Sequence, residues 1–261
     1  MSGVTPVALT VAGSDASGGA GIQADLKVFQ QFGVYGEAAI TLLTVQNTCG
    51  VQRVECLPGE LVADQIRAVI DDIPPAAAKT GALGNRAIIE AVAELAGQFP
   101  FPLVVDPVLV SKNGAPLLAS EAVDALKHRL LPHAFLLTPN LEEAALITGL
   151  EVRDASSMRE AARKLAALGP RAVLVKGGHL QGDAIDILFQ EGAWREFRAP
   201  RINSRNTHGT GCTFSAAITA ALALGCDLEA AIGRAKHYIT EAIRTSPALG
   251  KGVGPVNHWA G

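Results

Sequence analysis

The sequence has few of the residues that mark secreted or nucleic-acid-binding proteins. It contains 4 Cys and no C-x-x-C pair among its 261 residues, which excludes a disulfide framework and predicts reduced thiols. Its 22 Lys and Arg nearly balance 25 Asp and Glu, which gives a formal charge of −3. A chain that holds nucleic acid through its phosphates needs a basic face, so we expect no nucleic-acid partner. We expect a soluble, cytoplasmic protein.

Long apolar runs and a targeting signal are lacking as well. The longest apolar stretches, such as 38–45, fall well short of the roughly 20 residues of a membrane-spanning helix. No basic residue precedes Lys27, which argues against a signal or transit peptide. At 49% hydrophobic residues the chain is too apolar to be disordered. The sequence thus predicts a globular protein without a membrane partner.

Short β-branched runs alternate with amphipathic stretches along most of the chain. We predict strands at 7–12, 38–45, 76–79, 103–105, 135–138 and 172–176, and helices at 21–32, 61–72, 85–96, 120–131, 140–148, 156–168, 213–224 and 228–245. This alternation predicts a mostly parallel sheet covered by helices on both faces. Apolar and polar residues alternate on either side of Glu191-Gly192, which predicts an antiparallel hairpin at one sheet edge. With no linker or repeat in the chain, we expect a single domain over 1–261.

Glycine is abundant and is concentrated in two clusters that follow a strand and open a helix. The first runs from Gly13 to Gly21, and the second includes Gly209, Thr210 and Gly211. Glycines let successive N–H groups point into one concavity, and a helix N-terminus adds its positive dipole end. The second cluster therefore predicts an anion hole for a transferring phosphoryl group.

Two other residues belong to the second cluster. A thiol at a helix N-terminus has a depressed pKa, so we interpret Cys212 as a base or nucleophile rather than as a small buried hydrophobe. His208 is interpreted only as a cap of its loop. No Walker A sequence occurs, so a phosphoryl-transfer enzyme with this sequence is not of the P-loop type.

Polar residues also stand where predicted strands end. Asp106 follows one strand, and Lys176 ends another beside two glycines, where a cation suits phosphate charge; the alternative is a lysine that only reaches toward solvent. Asn140 and Glu143 lie three apart in the first turn of a helix. They have two interpretations: a capping box, or a pair that faces a ligand.

Seven segments together resemble the hydroxymethylpyrimidine/phosphomethylpyrimidine kinases of thiamine biosynthesis, a branch of the ribokinase-like superfamily. They are Val11–Asp25, Val45–Thr48, Val105–Val108, Thr138–Glu143, Val175–His179, Gly209–Cys212 and Gly254–His258. The resemblance implies a three-layer α/β/α ribokinase-like domain, usually a homodimer, that uses ATP and Mg²⁺. It implies phosphorylation of 4-amino-5-hydroxymethyl-2-methylpyrimidine to the monophosphate and of the monophosphate to the diphosphate.

The resemblance also implies a role for individual residues. Those matching the pyrimidine pocket are Gly13, Asp25, Gln46 and Ala82, the last where the family commonly has Met. Those matching the nucleotide site are Asp106, Asn140, Glu143, Lys176 and Thr210, with Glu143 and Asp106 placed to hold Mg²⁺ directly or through water. Those matching the catalytic group are Lys176, Gly209, Gly211 and Cys212, with Cys212 where ribokinase relatives place a catalytic Asp.

Three alternatives stay open. A pyridoxine or pyridoxal kinase, or a kinase that accepts both rings, shares the fold and reaction type. A non-catalytic nucleotide-binding module is a second alternative, although the full set of strand-end residues argues against it. A thiol-redox enzyme is a third, and it rests on Cys212 alone.

Overall fold

The alternating apolar and amphipathic segments fold into one sheet with helices on both faces. The structure, a computed structural model, describes residues 5–109, 117–119, 121–178 and 182–260. The strands are β1 Val7–Asp15, β2 Tyr35–Asn47, β3 Gly50–Cys56, β4 Ala77–Thr80, β5 Leu103–Val105, β6 Leu136–Leu137, β7 Ala172–Lys176, β8 Ala184–Gln190 and β9 Ala193–Ala199. The helices are α1 Gly21–Gln31, α2 Gly59–Asp72, α3 Arg86–Ala96, α4 Ala122–Ala125, α5 Leu141–Thr148, α6 Ala155–Ala166, α7 Thr210–Ala223 and α8 Leu228–Arg244.

The sheet order is β3-β2-β1-β4-β5-β6-β7-β8-β9. The six neighbouring strands β2, β1, β4, β5, β6 and β7 are mutually parallel. The predicted hairpin of β8 and β9 is antiparallel at one edge, as expected. At the opposite edge β3 pairs antiparallel with β2, and this strand was not predicted. Its charged Arg53 and Glu55 are exposed, as suits an edge strand, and on sequence alone such a segment is typical of a loop.

Two apolar layers hold the helices against the sheet. One layer packs α2, α3, α4, α5 and α6 on one face, and the other packs α1, α7 and α8 on the opposite face. Helix α7 is buried continuously from Thr213 to Ala223 and is rich in Ala, which lets it lie close to the central strands. Its N-terminus is thereby fixed at the carboxyl ends of those strands.

One predicted helix differs in geometry. The segment predicted as a helix at 120–131 begins with α4, widens into a π-helical turn at Leu126–Leu130 and ends in a 3₁₀ turn at Leu131–His133. Pro132 lacks an N–H and cannot continue an α-helix, which accounts for the tight ending. Ser120, the predicted start, lies outside the described residues. No helix in the described part of the chain is both long and apolar enough to cross a bilayer.

A buried carboxyl group in β2 gives a stability prediction. Glu37 is 7% exposed, and its Oε2 has no hydrogen-bond partner among the described residues. Burial, assisted by the charge of Asp72, raises the pKa of Glu37 to about 7 from 4.5. The folded protein therefore binds this proton more tightly than the unfolded chain, and the unfolding free energy falls as the pH rises between those two values.

Glu37→Gln removes the buried charge and is expected to raise the unfolding free energy at pH 8 by on the order of 2 kcal/mol, and by much less at pH 5. Urea denaturation at both pH values measures the difference. Glu94→Gln, at an exposed position of α3, is the control and is expected to change stability little at either pH. An equal gain for Glu37→Gln at both pH values would contradict the prediction.

Candidate active site

The two glycine clusters meet at the carboxyl ends of the parallel strands, the edge where open parallel sheets bind ligands. Gly209 is the N-cap of α7 and has a φ of +78°, a backbone conformation that favours glycine. A Cβ added at Gly209 would overlap the Gly19 carbonyl oxygen and lie 2.9 Å from the Gly19 carbonyl carbon. The second cluster therefore packs backbone against backbone on the first, and the contact requires glycine.

Asp15 organises the first cluster. Its Oδ1 accepts a hydrogen bond from Ser17 N at 2.8 Å, and its Oδ2 accepts from Gly19 N at 3.2 Å and Ala20 N at 2.8 Å. His208 Nε2 lies 2.7 Å from the same Oδ2. Burial would raise the pKa of Asp15, but hydrogen bonds from His208 and other neighbours outweigh it and hold the pKa below its usual range. Asp15 is thus a carboxylate that ties the loop before α1 to the loop before α7.

An ion pair between the partly buried Lys176 and the buried Asp106 lies next to the second cluster. Lys176 Nζ is 2.8 Å from Asp106 Oδ1, and Ser215 Oγ donates to Asp106 Oδ2 at 3.2 Å. A Cβ added at Gly211 would be 3.5 Å from Lys176 Nζ and 3.6 Å from Asp106 Oδ2, so the pair faces the start of α7. Burial opposes both charges, yet Lys176 lowers the pKa of Asp106, and Asp106 raises that of Lys176. The structure thus brings the predicted Asp106, Lys176 and Gly211 together.

Asn140 and Glu143 form the capping box that the sequence allowed, and Glu143 also lies near the ion pair. Asn140 Oδ1 accepts from Glu143 N at 2.9 Å, and Glu143 Oε2 accepts from Asn140 N at 2.8 Å, which is a capping box at the start of α5. The same Glu143 interacts electrostatically with Lys176 and Asp106. Burial raises its pKa to about 7, although Lys176 opposes the shift. The cap therefore holds a carboxyl group beside the ion pair.

The thiol of Cys212 behaves differently from the sequence-based expectation. Desolvation raises the pKa of Cys212 to about 11, although the Lys79 ammonium opposes the shift. The expectation of a depressed pKa at the N-terminus of α7 is wrong, because burial outweighs the effect of the Lys79 charge. Thr210, the first residue of α7, donates its hydroxyl to Thr207 O at 2.8 Å. His179, part of the motif that ends β7, lies outside the described residues.

Gly13 and Ala82, two of the residues expected in the pyrimidine pocket, lie next to each other. A Cβ added at Gly13 would be 3.6 Å from the Cβ of Ala82 and would collide with the side chain of Leu42. Thr41 Oγ1 donates to Ala82 O at 2.6 Å, which fixes Ala82 to β2. Gln46 follows a bulge in the pairing of β2 with β3, and a bulge re-aims the side chain next to it.

Asp25, expected at the same pocket, is fully buried. Its Oδ1 lies 2.7 Å from Lys79 Nζ, and its Oδ2 accepts from Thr10 Oγ1 at 2.7 Å. Burial raises the pKa of Asp25, and the Lys79 ammonium opposes that shift. Lys79 also interacts electrostatically with Cys212 and Asp106, so it connects the two ends of the site.

Sequence reasoning missed several residues of this constellation: Thr10, Asp15, Lys79, His208 and Ser215. Lys79 had a usable signal, because a lysine within the apolar strand Ala77–Thr80 must be paired inside the protein. Asp15 and His208 had none, since they are 193 positions apart and each is ordinary in its own loop.

The carboxylates beside the start of α7 have the chemistry to hold a magnesium ion. Asp106 and Glu143 supply hard oxygen donors, and Mg²⁺ is usually held by one or two carboxylates together with substrate phosphates. No group of three or more His, Cys, Asp or Glu suited to a resident metal occurs in the described part of the chain.

The sequence of this chain is similar to a known protein family and to individual relatives over most of its length. The profile of a family described as phosphomethylpyrimidine kinase matches residues 15–257. The thiamine biosynthesis bifunctional protein ThiED of Geobacter sulfurreducens is 54% identical over 96% of this chain, which spans about half, 51%, of that protein. The hydroxymethylpyrimidine/phosphomethylpyrimidine kinase of Streptomyces coelicolor is 50% identical, with 98% of this chain and 95% of that protein covered.

Known structures show the same architecture. A phosphomethylpyrimidine kinase from Clostridium difficile is 44% identical, with a TM-score of 0.81 over 92% of this chain and all, 100%, of that chain. An ADP complex of Bacillus subtilis pyridoxal kinase is 39% identical, with a TM-score of 0.90 and 98% of each chain covered. A pyridoxal kinase from Staphylococcus aureus in complex with AMP-PCP is 35% identical, with a TM-score of 0.91 over 99% of this chain and 95% of that one.

Proposed function

The chain belongs to the phosphomethylpyrimidine kinase family, and from that premise we propose that it acts as a single kinase domain with two successive reactions. ATP phosphorylates the hydroxymethyl group of 4-amino-5-hydroxymethyl-2-methylpyrimidine, and a second ATP converts the monophosphate to the diphosphate for thiamine biosynthesis. The observation that carries this proposal is the ion pair of Lys176 and Asp106 facing Gly211 at the start of α7.

The proposed chemistry of transfer needs positioning and charge more than covalent catalysis. The N–H groups of Gly209, Thr210 and Gly211 at the N-terminus of α7 stabilise the transferring phosphoryl group, and Lys176 supplies a nearby positive charge. Asp106 keeps that charge in place through its 2.8 Å contact.

ATP is the proposed nucleotide, a choice supported by related kinases of known structure in complex with ADP and AMP-PCP. Magnesium, when bound, neutralises negative charge on the phosphates. Asp106 and Glu143 are the residues that would hold it, directly or through water. Asn140 keeps Glu143 in place through the capping box.

At the end of the proposed site away from Lys176, Gly13 and Ala82 lie against the pyrimidine ring. The side-chain amide of Gln46 hydrogen-bonds to the amino group and the ring nitrogen of the substrate. Each oxygen of Asp25 already accepts one hydrogen bond, from Lys79 or from Thr10, and retains a further lone pair. Because Asp25 is fully buried, a direct contact between its carboxylate and the ring requires the residues that cover it to move.

A second candidate is phosphorylation of pyridoxine or pyridoxal. It is favoured by the similarity to two pyridoxal kinases and by the small Ala82 where Met is common. A coupled ATP assay with hydroxymethylpyrimidine, its monophosphate and pyridoxine tests both candidates. We expect kcat/KM to be highest for the two pyrimidines. Turnover of pyridoxine alone would reject the pyrimidine proposal, and background rates with every acceptor would reject both.

We further propose a cytoplasmic homodimer. The homodimer is supported by Leu43 and Val45, two apolar residues on one side of β2 near its end that are each about half exposed, and the cytoplasm by the four free cysteines. Sedimentation equilibrium of the purified protein tests the dimer. A single monomeric species at assay concentration would reject it.

The two phosphorylations provide a specific test of Cys212. Cys212→Ser and Cys212→Ala are expected to slow the first step about 10²-fold and to change the second little. The reason is that an alcohol must lose a proton whereas a phosphate acceptor is already an anion. Because the pKa of Cys212 is about 11, we expect the first step in the unsubstituted protein to speed up about tenfold per pH unit above neutrality, and the Ser variant to lack this slope.

Single-turnover rates of each step from pH 7 to pH 9 measure these effects. Cys226→Ser, remote from the cleft at the end of α7, is the matched control and is expected to keep both rates and the slope. Equal losses in both steps for Cys212→Ser would remove the proposed role as a base.

A further inference from the structure

One buried carboxylate–imidazole pair joins the two glycine clusters. Asp15 and His208 are 193 positions apart in the chain, and their side chains meet at 2.7 Å between Oδ2 and Nε2. Asp15 is 2% exposed and His208 is 9% exposed. Because a carboxylate only accepts hydrogen bonds, the proton between them is on His208 Nε2.

The pair fixes the backbone immediately before the anion hole. His208 N donates to Gly254 O at 3.0 Å, and His208 O accepts from Val256 N at 3.3 Å. The next residue, Gly209, is the N-cap of α7. Asp15 fixes the imidazole of His208, and the 254–256 segment fixes its backbone N–H and C=O groups. The backbone that leads into α7 is therefore held in one position.

The same carboxylate reaches the pyrimidine end of the cleft. Asp15 pairs in the sheet with Thr44 of β2, two residues before Gln46, and the nearby Gln46 side chain contributes to the low pKa of Asp15. The hairpin that carries Gln46 is also tied to the 250–256 segment, because Thr48 O accepts from Val253 N at 2.8 Å and Thr48 Oγ1 accepts from Gly252 N at 3.2 Å. Two sets of contacts, one through Asp15 and one through the 250–256 segment, therefore connect the hairpin that carries Gln46 with the backbone that precedes Gly209.

We propose that Asp15 and His208 are positioning residues that hold the pyrimidine end of the cleft and the anion hole at one fixed separation, so that the acceptor oxygen lies in line with the transferring phosphoryl group. Neither side chain needs to touch a reacting atom for this role. The inference rests on the proposed function, since it assigns the acceptor to the Gln46 end. A shift of about 1 Å between reacting groups lowers a rate by about 10²-fold, which sets the size of the expected effect.

The test compares His208→Ala with His208→Gln. Alanine removes the donor, whereas the side-chain amide of glutamine can place an N–H near the position of Nε2. We expect His208→Ala to lower kcat about 10²-fold for both pyrimidine acceptors with KM for ATP nearly unchanged, and His208→Gln to recover most of the loss. Asp15→Ala is expected to lower kcat at least as much as His208→Ala, because it removes the same contact and also the hydrogen bonds to the 17–20 loop, and the double variant is expected to be little worse than Asp15→Ala alone.

His258 offers a matched control. It is also buried, and its Nε2 lies 3.2 Å from Thr213 Oγ1 near the same end of α7, but it makes no contact with Asp15 among the described residues. His258→Gln is expected to keep kcat within about threefold of the unsubstituted protein. Loss of kcat in His258→Gln equal to that in His208→Ala would show a general packing effect and overturn the proposal.

A second readout is independent of catalysis. In ¹⁵N-edited NMR spectra, the Nε2–H proton of His208 is expected to be protected from exchange and to shift downfield, and Asp15→Ala is expected to abolish that signal. If this signal is present while the unsubstituted protein phosphorylates no acceptor, the proposed function fails and the pairing stands, but its positioning role falls with that function. If His208→Ala keeps kcat within about threefold, or if His208→Gln recovers nothing, the positioning role is wrong.

Discussion

Replacing Lys176 by Met is expected to lower kcat about 10³-fold for both phosphorylations. The ammonium faces the start of α7 and is held 2.8 Å from Asp106, so its charge is fixed where phosphoryl charge develops in the proposed reaction. Both acceptors receive a phosphoryl group at the same hole, and the loss is therefore expected to be equal. This separates Lys176 from Cys212, whose replacement is expected to affect the first step alone.

The same substitution leaves Asp106 buried without its cation, which costs stability and could lower activity indirectly. The double variant Lys176→Met/Asp106→Asn removes both charges and is expected to recover much of the lost stability but none of the activity. Thermal denaturation and single-turnover rates of the single and double variants measure the two effects. If kcat returned together with stability in the double variant, Lys176 would be a structural residue only.

The residues that sequence reasoning placed correctly lie at strand ends. Asp106 directly follows β5 and Lys176 ends β7. A parallel sheet brings such ends to one edge, so their proximity could be predicted without knowledge of side-chain contacts. Gly209 and Gly211 were predicted for a similar reason, because a strand, a glycine loop and a helix N-terminus form a local motif. The fold and the glycine turn into α7 were predictable because each depends on short stretches of chain, whereas an anion hole at that turn stays a prediction.

What could not be predicted depends on tertiary contacts. The pKa of Cys212 is set by desolvation, which the helix start alone does not reveal. The pairing of Asp15 with His208 requires the two loops to be in register. Asp25 was expected at a pocket surface, but its depth depends on Lys79, a residue of a different strand. In each case the deciding group is distant in sequence.

Gly209→Ala is expected to lower kcat/KM at least about 10³-fold for both acceptors and to lower the melting temperature. Two effects contribute. Alanine at a φ of +78° costs about 1 kcal/mol of backbone strain. The new methyl group would also overlap the carbonyl group of Gly19, whose carbon is 2.9 Å from the added Cβ. Because the clashing atoms are backbone, the two glycine clusters must separate, and the anion hole moves away from the acceptor.

Variants at two other glycines, one at each end of α7, distinguish the effects of backbone strain, steric clash and blocking of the phosphoryl site. Gly225 follows the opposite end of α7, has a φ of +84° and leaves open space for a Cβ, so Gly225→Ala tests strain alone and is expected to keep full activity. At Gly211 an added Cβ makes ordinary contacts of 3.5 Å with Lys176 Nζ and 3.6 Å with Asp106 Oδ2. Gly211→Ala is therefore expected to fold normally and to lose about 10²-fold in kcat, because its methyl group occupies the phosphoryl site. Steady-state rates and melting temperatures of the three variants give the comparison. If Gly209→Ala behaved like Gly225→Ala, the close packing of the two clusters would not be required for activity.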